Sequence, residues 1–240
     1  MALDLEHPGR LSGRRVLVTG GSSGFGRALS LALLEAGAKV VTCARDERGL
    51  APLAQAGALT VPADVSKPGD VSALMVLARH SLGGLDAVIN NAAILPRVRL
   101  SDQSLADWRR TLEINLSAPW LVTREALPLM RGGSIVMVTS GLGWFPMEPY
   151  NSYAVSKAGV NLLTRAFAQE LGGRFRVNAF DPGTARTRMN PEAGEPPERA
   201  VPALLALAAL GPDGPTGLCF KRDGRVMPWD REPALRHAGR

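Results

Sequence analysis

The chain has 240 residues, 45% of them hydrophobic and 21% charged, with a formal net charge of +6. That is enough for a sizeable core in one domain and too balanced for a disordered chain. Such a charge could indicate a nucleic-acid partner, but no basic run exceeds a pair, and four of the 28 basic residues are lysine, so arginine scattered over a solvated surface explains it.

Other classes drop out as quickly. The longest apolar run, residues 201–210, falls well short of the roughly 20 residues that span a bilayer. The first ten residues lack the basic head and apolar centre of a signal peptide. Two cysteines, Cys43 and Cys219, make neither a disulfide framework nor a Cys-rich metal site, and a cytoplasmic location with no metal is expected.

Strand and helix patterns alternate along the chain. Residues 14–20 read as a short buried strand ending in glycine and 24–37 as a helix. A strand at 39–43, a helix at 47–56 and a strand at 59–62 follow. Next come a helix at 68–82, a strand at 85–90, one long helical stretch at 102–130 and a strand at 133–140. A helix at 153–171, a strand and turn at 176–183, a helix at 197–210 and a short strand at 217–220 complete the series. Apolar runs of strand length between helical patterns indicate a doubly wound α/β domain, a parallel sheet of about seven strands with helices on both faces. Residues 1–240 read as one domain, with 1–13 as an N-terminal extension and 225–240 as a C-terminal tail. Ligands of such sheets bind at the carboxyl ends of the strands.

After the first strand stands Thr19-Gly20-Gly21-Ser22-Ser23-Gly24-Phe25-Gly26. Gly20 permits a tight turn, Gly24 lets backbone approach a pyrophosphate, and Gly26 lets the helix pack on the strand. The N–H groups at the helix start suit phosphate. At the end of the second strand, Arg45 suits a ribose 2′-phosphate and favours NADP. Asp46, one residue later, keeps NAD as the alternative. Asp64-Val65 and Asn90-Asn91-Ala92-Ala93 follow the third and fourth strands, where a polar residue before small ones suits a close-lying flat ring. The fifth strand ends at Ser140; Tyr153 and Lys157 follow on the next helix, one turn apart on one face. An ammonium beside a phenol lowers the phenol's pKa, so that it can pass a proton to a carbonyl oxygen, while Ser140 holds that oxygen.

Together these residues resemble the short-chain dehydrogenase/reductase family, in its single-domain branch, from Arg14 to about Gly224. The cofactor turn, Asp64, the Asn90–Ala93 element (with Ala93 for the usual glycine) and Pro182-Gly183-x-x-x-Thr187 match its pattern in order. The resemblance implies a Rossmann-type fold. It assigns catalysis to Asn115, Ser140, Tyr153 and Lys157. It assigns cofactor binding to Gly20, Ser22, Ser23, Gly24, Phe25, Gly26, Arg45, Asp64, Val65, Asn91, Ala92, Ala93, Tyr153, Lys157, Pro182, Gly183, Ala185 and Thr187. In it Asn115 supports a water relay, and the turn at Pro182 holds the nicotinamide amide. Ala185 replaces a branched aliphatic, which should loosen that contact. Only about ten residues, 188–197, stand where the family has a longer helical lid, so an open site is expected.

The expected activity is hydride transfer between NADP(H) and a carbonyl or alcohol, in a homodimer or homotetramer that involves neither nucleic acid nor membrane. A non-catalytic nucleotide-binding or regulatory protein on the same fold is the alternative; such a protein has no need of the proton-transfer set. Ile94, Leu95, Leu142, Trp144, Tyr150 and Met189 are the expected substrate-side residues, with Arg97, Arg186 and Arg188 as places for an anionic group.

Overall fold

The computed structural model describes residues 1–229. Eight strands form one sheet: β1 (Arg15–Thr19), β2 (Lys39–Ala44), β3 (Leu59–Pro62), β4 (Leu85–Asn90), β5 (Met130–Val138), β6 (Phe175–Asp181), β7 (Cys219–Lys221) and β8 (Val226–Met227). Their order is β3-β2-β1-β4-β5-β6-β7-β8. All neighbours are parallel except β7 and β8. This is the expected doubly wound sheet with one short antiparallel strand added. The order reverses between β1 and β4, and the crevice at that switch point is where such sheets bind nucleotides.

The helices are α1 (Gly24–Glu35), α2 (Glu47–Gln55), α3 (Pro68–Leu82), α4 (Leu105–Leu112), α5 (Ala118–Ala126), α6 (Asn151–Leu171) and α7 (Val201–Ala208). Gly26, Leu29, Ser30 and Leu33 of α1 are buried, the spacing of a single helix face. The Asp46 side chain accepts from the Gly49 N–H and caps α2. Pro68 opens α3, and Gly83 (φ +73°) closes it in the left-handed region.

Because successive strand residues face opposite sides, the sheet has a core on each face. Leu17, Val88, Ile135 and Val177 meet α3, α5 and α6 on one face. Val16, Val18, Ile89, Val136 and Phe180 meet α1, α2 and α7 on the other.

The stretch expected as one helix over 102–130 is broken. A π-helical segment, Glu113–Ser117, joins α4 to α5, and a 3₁₀ turn, Leu127–Leu129, leads directly into β5. Pro119 is the reason for the first break. It has no N–H to give to the carbonyl four residues back, that of Asn115, and its ring crowds that carbonyl. The chain widens there to i→i+5 bonding, with the Ala118 N–H donating to the Glu113 carbonyl. The expected helix 197–210 begins as a 3₁₀ turn, Pro197–Ala200, before α7.

Both ends of the described residues are tied into the sheet edge. Ala2 bridges Arg225, and Met227 is buried. Trp229 stacks on Trp144, ring centroids 5.5 Å apart, and donates its indole N–H to the Gly217 carbonyl. The rest of the expected 225–240 tail lies outside the described residues. No helix among the described residues is long and apolar enough to cross a membrane.

Candidate active site

A cleft of about 430 Å³ lies over the carboxyl ends of the parallel strands. The turn after β1 forms its floor. Gly20 (φ +75°) and Gly24 (φ +54°) take left-handed backbone. A Cβ on Gly26 would fall 2.3 Å from the Gly20 carbonyl oxygen, so only glycine lets α1 start this close to the strand. Ser23, at the N-cap of α1, makes no side-chain cap bond, and the first turn holds no acidic residue. The leading amides of α1 are thus left to an external anion, which fits a dinucleotide pyrophosphate.

The turn after β4 is pinned to the turn after β1. Thr19 Oγ1 accepts from the Asn91 and Ala92 N–H groups, each at 3.0 Å, and Asn91 Nδ2 donates to the Thr19 carbonyl at 2.8 Å. The side chain of Asn91 therefore braces the two turns, and its neighbours Ala92 and Ala93 complete the wall.

Of the residues assigned to cofactor binding, Gly20, Ser22, Ser23, Gly24, Phe25, Arg45, Asp64, Val65, Asn91, Ala92, Ala93, Tyr153, Lys157, Pro182 and Thr187 line the cleft. Gly26, Gly183 and Ala185 do not. Gly26 packs beneath the turn, and the Gly183 N–H donates to Asp181 Oδ1 at 2.9 Å. Ala185 is buried against Gly194, where a Cβ would stand 2.6 Å from the Ala185 Cα. Glycine at 194 is therefore what admits the fold-back onto the Ala185 backbone. Sequence reasoning passes over Ala63, Val138 and Thr139, which also line the cleft. Each stands at or just past a strand end, so the strand-end rule contains the signal.

Tyr153 and Lys157 come from the first turns of α6 and are both buried. Lys157 Nζ lies 5.5 Å from the Tyr153 ring centroid and donates to the Val138 carbonyl at 2.7 Å. Burial brings its ammonium down to about 8. The expectation that this ammonium lowers the Tyr153 phenol meets a stronger opposing effect. Burial raises the phenol, the Ser140 hydroxyl draws it partly back, and the Asp181 carboxylate raises it further. The Ser140 hydroxyl also accepts from the Leu142 N–H at 3.2 Å.

Asn115 is fully buried in the π-helical segment. Its Oδ1 accepts from the Ile94 N–H, and its Nδ2 donates to the Ile94 carbonyl, both at 2.9 Å, and to Ser156 Oγ at 3.1 Å. The side chain thus clamps the cleft wall at Ile94. Ser140, half-buried with its hydroxyl at the Tyr153 phenol, and the buried Asn115 are not among the lining residues, while Ile94 and Met189 are the expected substrate-side residues that are.

At the other end, Arg45 is exposed on the rim. Burial works against the charge of Asp64. Hydrogen bonds from the Ser66 hydroxyl and N–H, with Arg45 and Arg110 nearby, nevertheless hold its carboxyl below the ordinary value. Residues 182–196 form a non-helical strap that folds back on itself past the glycine turn. Thr187 and Asn190 exchange backbone hydrogen bonds, and no helix forms over 188–196. No cluster of three or more metal-ligating side chains occurs among the described residues.

The family described as short chain dehydrogenase matches residues 14–198. L-fucose dehydrogenase of Rattus norvegicus is 36% identical over 185 residues, 75% of this chain and 68% of that protein. The solved structure of a short chain dehydrogenase from Shigella flexneri, complexed with NADP, superposes with a TM-score of 0.82 at 26% identity, covering 89% of this chain and 98% of that one. The 3-ketoacyl-(acyl-carrier-protein) reductase of Brucella melitensis, complexed with NADH, gives 0.83 at 28% identity, with 89% and 98% covered. The match takes in the glycine turn, the strand ends around the cleft and the strap beyond β6: the chain belongs to the short-chain dehydrogenase family and is an enzyme of it.

Proposed function

We propose that this enzyme reduces a carbonyl compound, or oxidises the corresponding alcohol, with NADP(H), using Tyr153 as proton donor and acceptor. The observation that carries the reading is the pair Tyr153 and Lys157, one helical turn apart and buried in the wall of a cleft whose floor is the glycine turn. A bound nicotinamide supplies the hydride. Tyr153 gives its proton to the carbonyl oxygen, and the Ser140 hydroxyl holds that oxygen in place. Lys157, on the same face, holds the nicotinamide ribose and offers a positive charge to the phenolate left behind. The proton is restored through water held at the Asn115 main-chain carbonyl, the group that Pro119 leaves without its helical donor. The test is NADPH consumption over a panel of ketones and aldehydes. Tight binding without turnover of any of them would favour a nucleotide-binding protein instead.

The rim supports NADP over NAD. Arg45 lines the cleft. The acidic alternative, Asp46, is engaged at a helix start: its carboxylate accepts from the Gly49 N–H at 3.1 Å and caps α2. Arg45→Asp is expected to move the ratio of kcat/KM for NADPH to that for NADH at least about tenfold toward NADH, the worth of a hydrogen bond to a charged group. A wild-type preference for NADH would overturn the assignment.

We also propose a homodimer or homotetramer. Leu162 (66%) and Val155 (46%) on α6 and Trp120 (43%) on α5 are exposed, beyond the stripe each helix buries against the sheet. Light scattering is expected to give two or four chain masses; a monomer at micromolar concentration would overturn this.

A further inference from the structure

The strap places one guanidinium across the cleft. Arg188, on the β6 side, reaches Asp46 on the β2 side, Nη1 to Oδ2 at 2.9 Å, and both residues line the cleft. The strap holds the base of Arg188 in position. The Thr187 N–H donates to the Asn190 carbonyl, the Asn190 N–H donates to the Thr187 carbonyl, and the Arg186 N–H donates to the Glu195 carbonyl at 2.8 Å. The Thr187 methyl lies over Gly24, where a Cβ would come within 3.1 Å of it. Asn190 Oδ1 accepts from Arg97 at 3.1 Å, tying the strap to the loop after β4.

We propose that Arg188 is a specificity-determining residue for the cofactor: a second guanidinium, opposite Arg45, that takes the ribose 2′-phosphate in exchange for Asp46. The proposal rests on the NADP reading above and adds to it a residue from the far side of the cleft. Three observations carry it. The tip of Arg188 lies at Asp46, the residue next to Arg45 in the chain, and Arg45 lines the same cleft. The side chains of the pair are 70% and 36% exposed, and ion pairs so open to water hold weakly, which leaves Arg188 free to exchange partners. A phosphate monoester carries nearly two charges and three acceptor oxygens, against the single charge of the carboxylate. Asp46 need not move, because its bond to the Gly49 N–H keeps it as the cap of α2.

The test is equilibrium binding of 2′-phospho-ADP-ribose, ADP-ribose, NADPH and NADH to wild type, Arg188→Ala, Arg188→Lys and Arg45→Ala. Fluorescence and calorimetry provide the readout, independent of turnover. Arg188→Ala is expected to weaken both 2′-phosphorylated ligands about tenfold and to leave ADP-ribose and NADH within about twofold. Arg188→Lys is expected to keep part of the discrimination, as a point charge without the bidentate fork. Equal weakening of all four ligands would overturn the proposal and make Arg188 a strap contact to the shared pyrophosphate. No change would overturn it and leave Asp46 as the only partner of Arg188. Loss of discrimination in Arg45→Ala but not in Arg188→Ala would overturn the proposal while sparing the NADP reading. Wild-type binding of ADP-ribose at least as tight as its 2′-phosphorylated form would overturn both.

Discussion

Tyr153→Phe is expected to lower kcat by about 10²- to 10⁴-fold, the worth of a positioned general acid, and to leave the Kd for NADPH within about twofold. The ring remains against α6 and only the phenolic oxygen is lost, so the fold and the cofactor wall are preserved. Burial and the nearby Asp181 carboxylate keep the phenol protonated in the resting site. That is the state a reductase needs before hydride arrives. In the oxidation direction the same group must first lose its proton. The alcohol-oxidation rate is therefore expected to rise with pH further into the alkaline range than the reduction rate does. Stopped-flow measurement of the chemical step, with NADPH binding followed separately, distinguishes the acid from a merely structural tyrosine. Turnover of the variant within a few-fold of wild type would remove Tyr153 from the mechanism.

Much of the candidate site's placement was legible because it depends on local spacing. The glycine turn, Ser140 and the Tyr153–Lys157 pair each follow from a strand end or a helical turn, and periodicity alone locates those. What escaped depends on distance in sequence or on burial. The Arg188–Asp46 pair joins residues 142 positions apart, and no local pattern connects them. The direction of the Tyr153 shift could not be read from the lysine four residues on, because the larger effect is burial by elements far away in the chain. The Trp144–Trp229 stack likewise joins distant residues, placing Trp229 on the turn after Ser140. The break at Asn115 was legible in principle. A proline four residues after a candidate relay residue marks a carbonyl without a helical donor, but the amphipathic run across 102–130 concealed it. The absence of a lid helix was read correctly from the prolines. The fold-back over Gly24 that takes its place was not, since it depends on Gly194 admitting Ala185.

Lys157→Met is expected to abolish activity and, at neutral pH, to stabilise the fold. The buried ammonium has its pKa brought down from 10.5 to about 8. Each pKa unit corresponds to about 1.4 kcal/mol, so a charged Lys157 costs the folded state on the order of 3 kcal/mol. Methionine removes that cost and keeps most of the volume. It also leaves the Val138 carbonyl without its donor, which takes back about 1–3 kcal/mol. The net gain at pH 7 is therefore small, about 1 kcal/mol, or a few degrees in Tm for a domain of this size. The sharper signal is its pH dependence. Below pH 8 the lysine is charged in both states and the full cost is present. Between about pH 8 and 10.5 the unfolded chain binds the proton and the folded one does not, so wild-type stability rises with pH. Above 10.5 the cost is gone. The stability advantage of the methionine variant should thus shrink, and then reverse, across that window, while contributions from groups remote from Lys157 cancel in the difference. Urea unfolding of both proteins at pH 7 and pH 10 measures it. A difference that does not change with pH would mean that Lys157 keeps an ordinary ammonium. The wild-type carbonyl-reduction rate should fall as the pH rises through about 8, where the folded enzyme's Lys157 loses its charge. In the proposed mechanism Lys157 acts as a cation, and its burial disfavours that charge, so the mechanism implies activity maintained at the expense of stability.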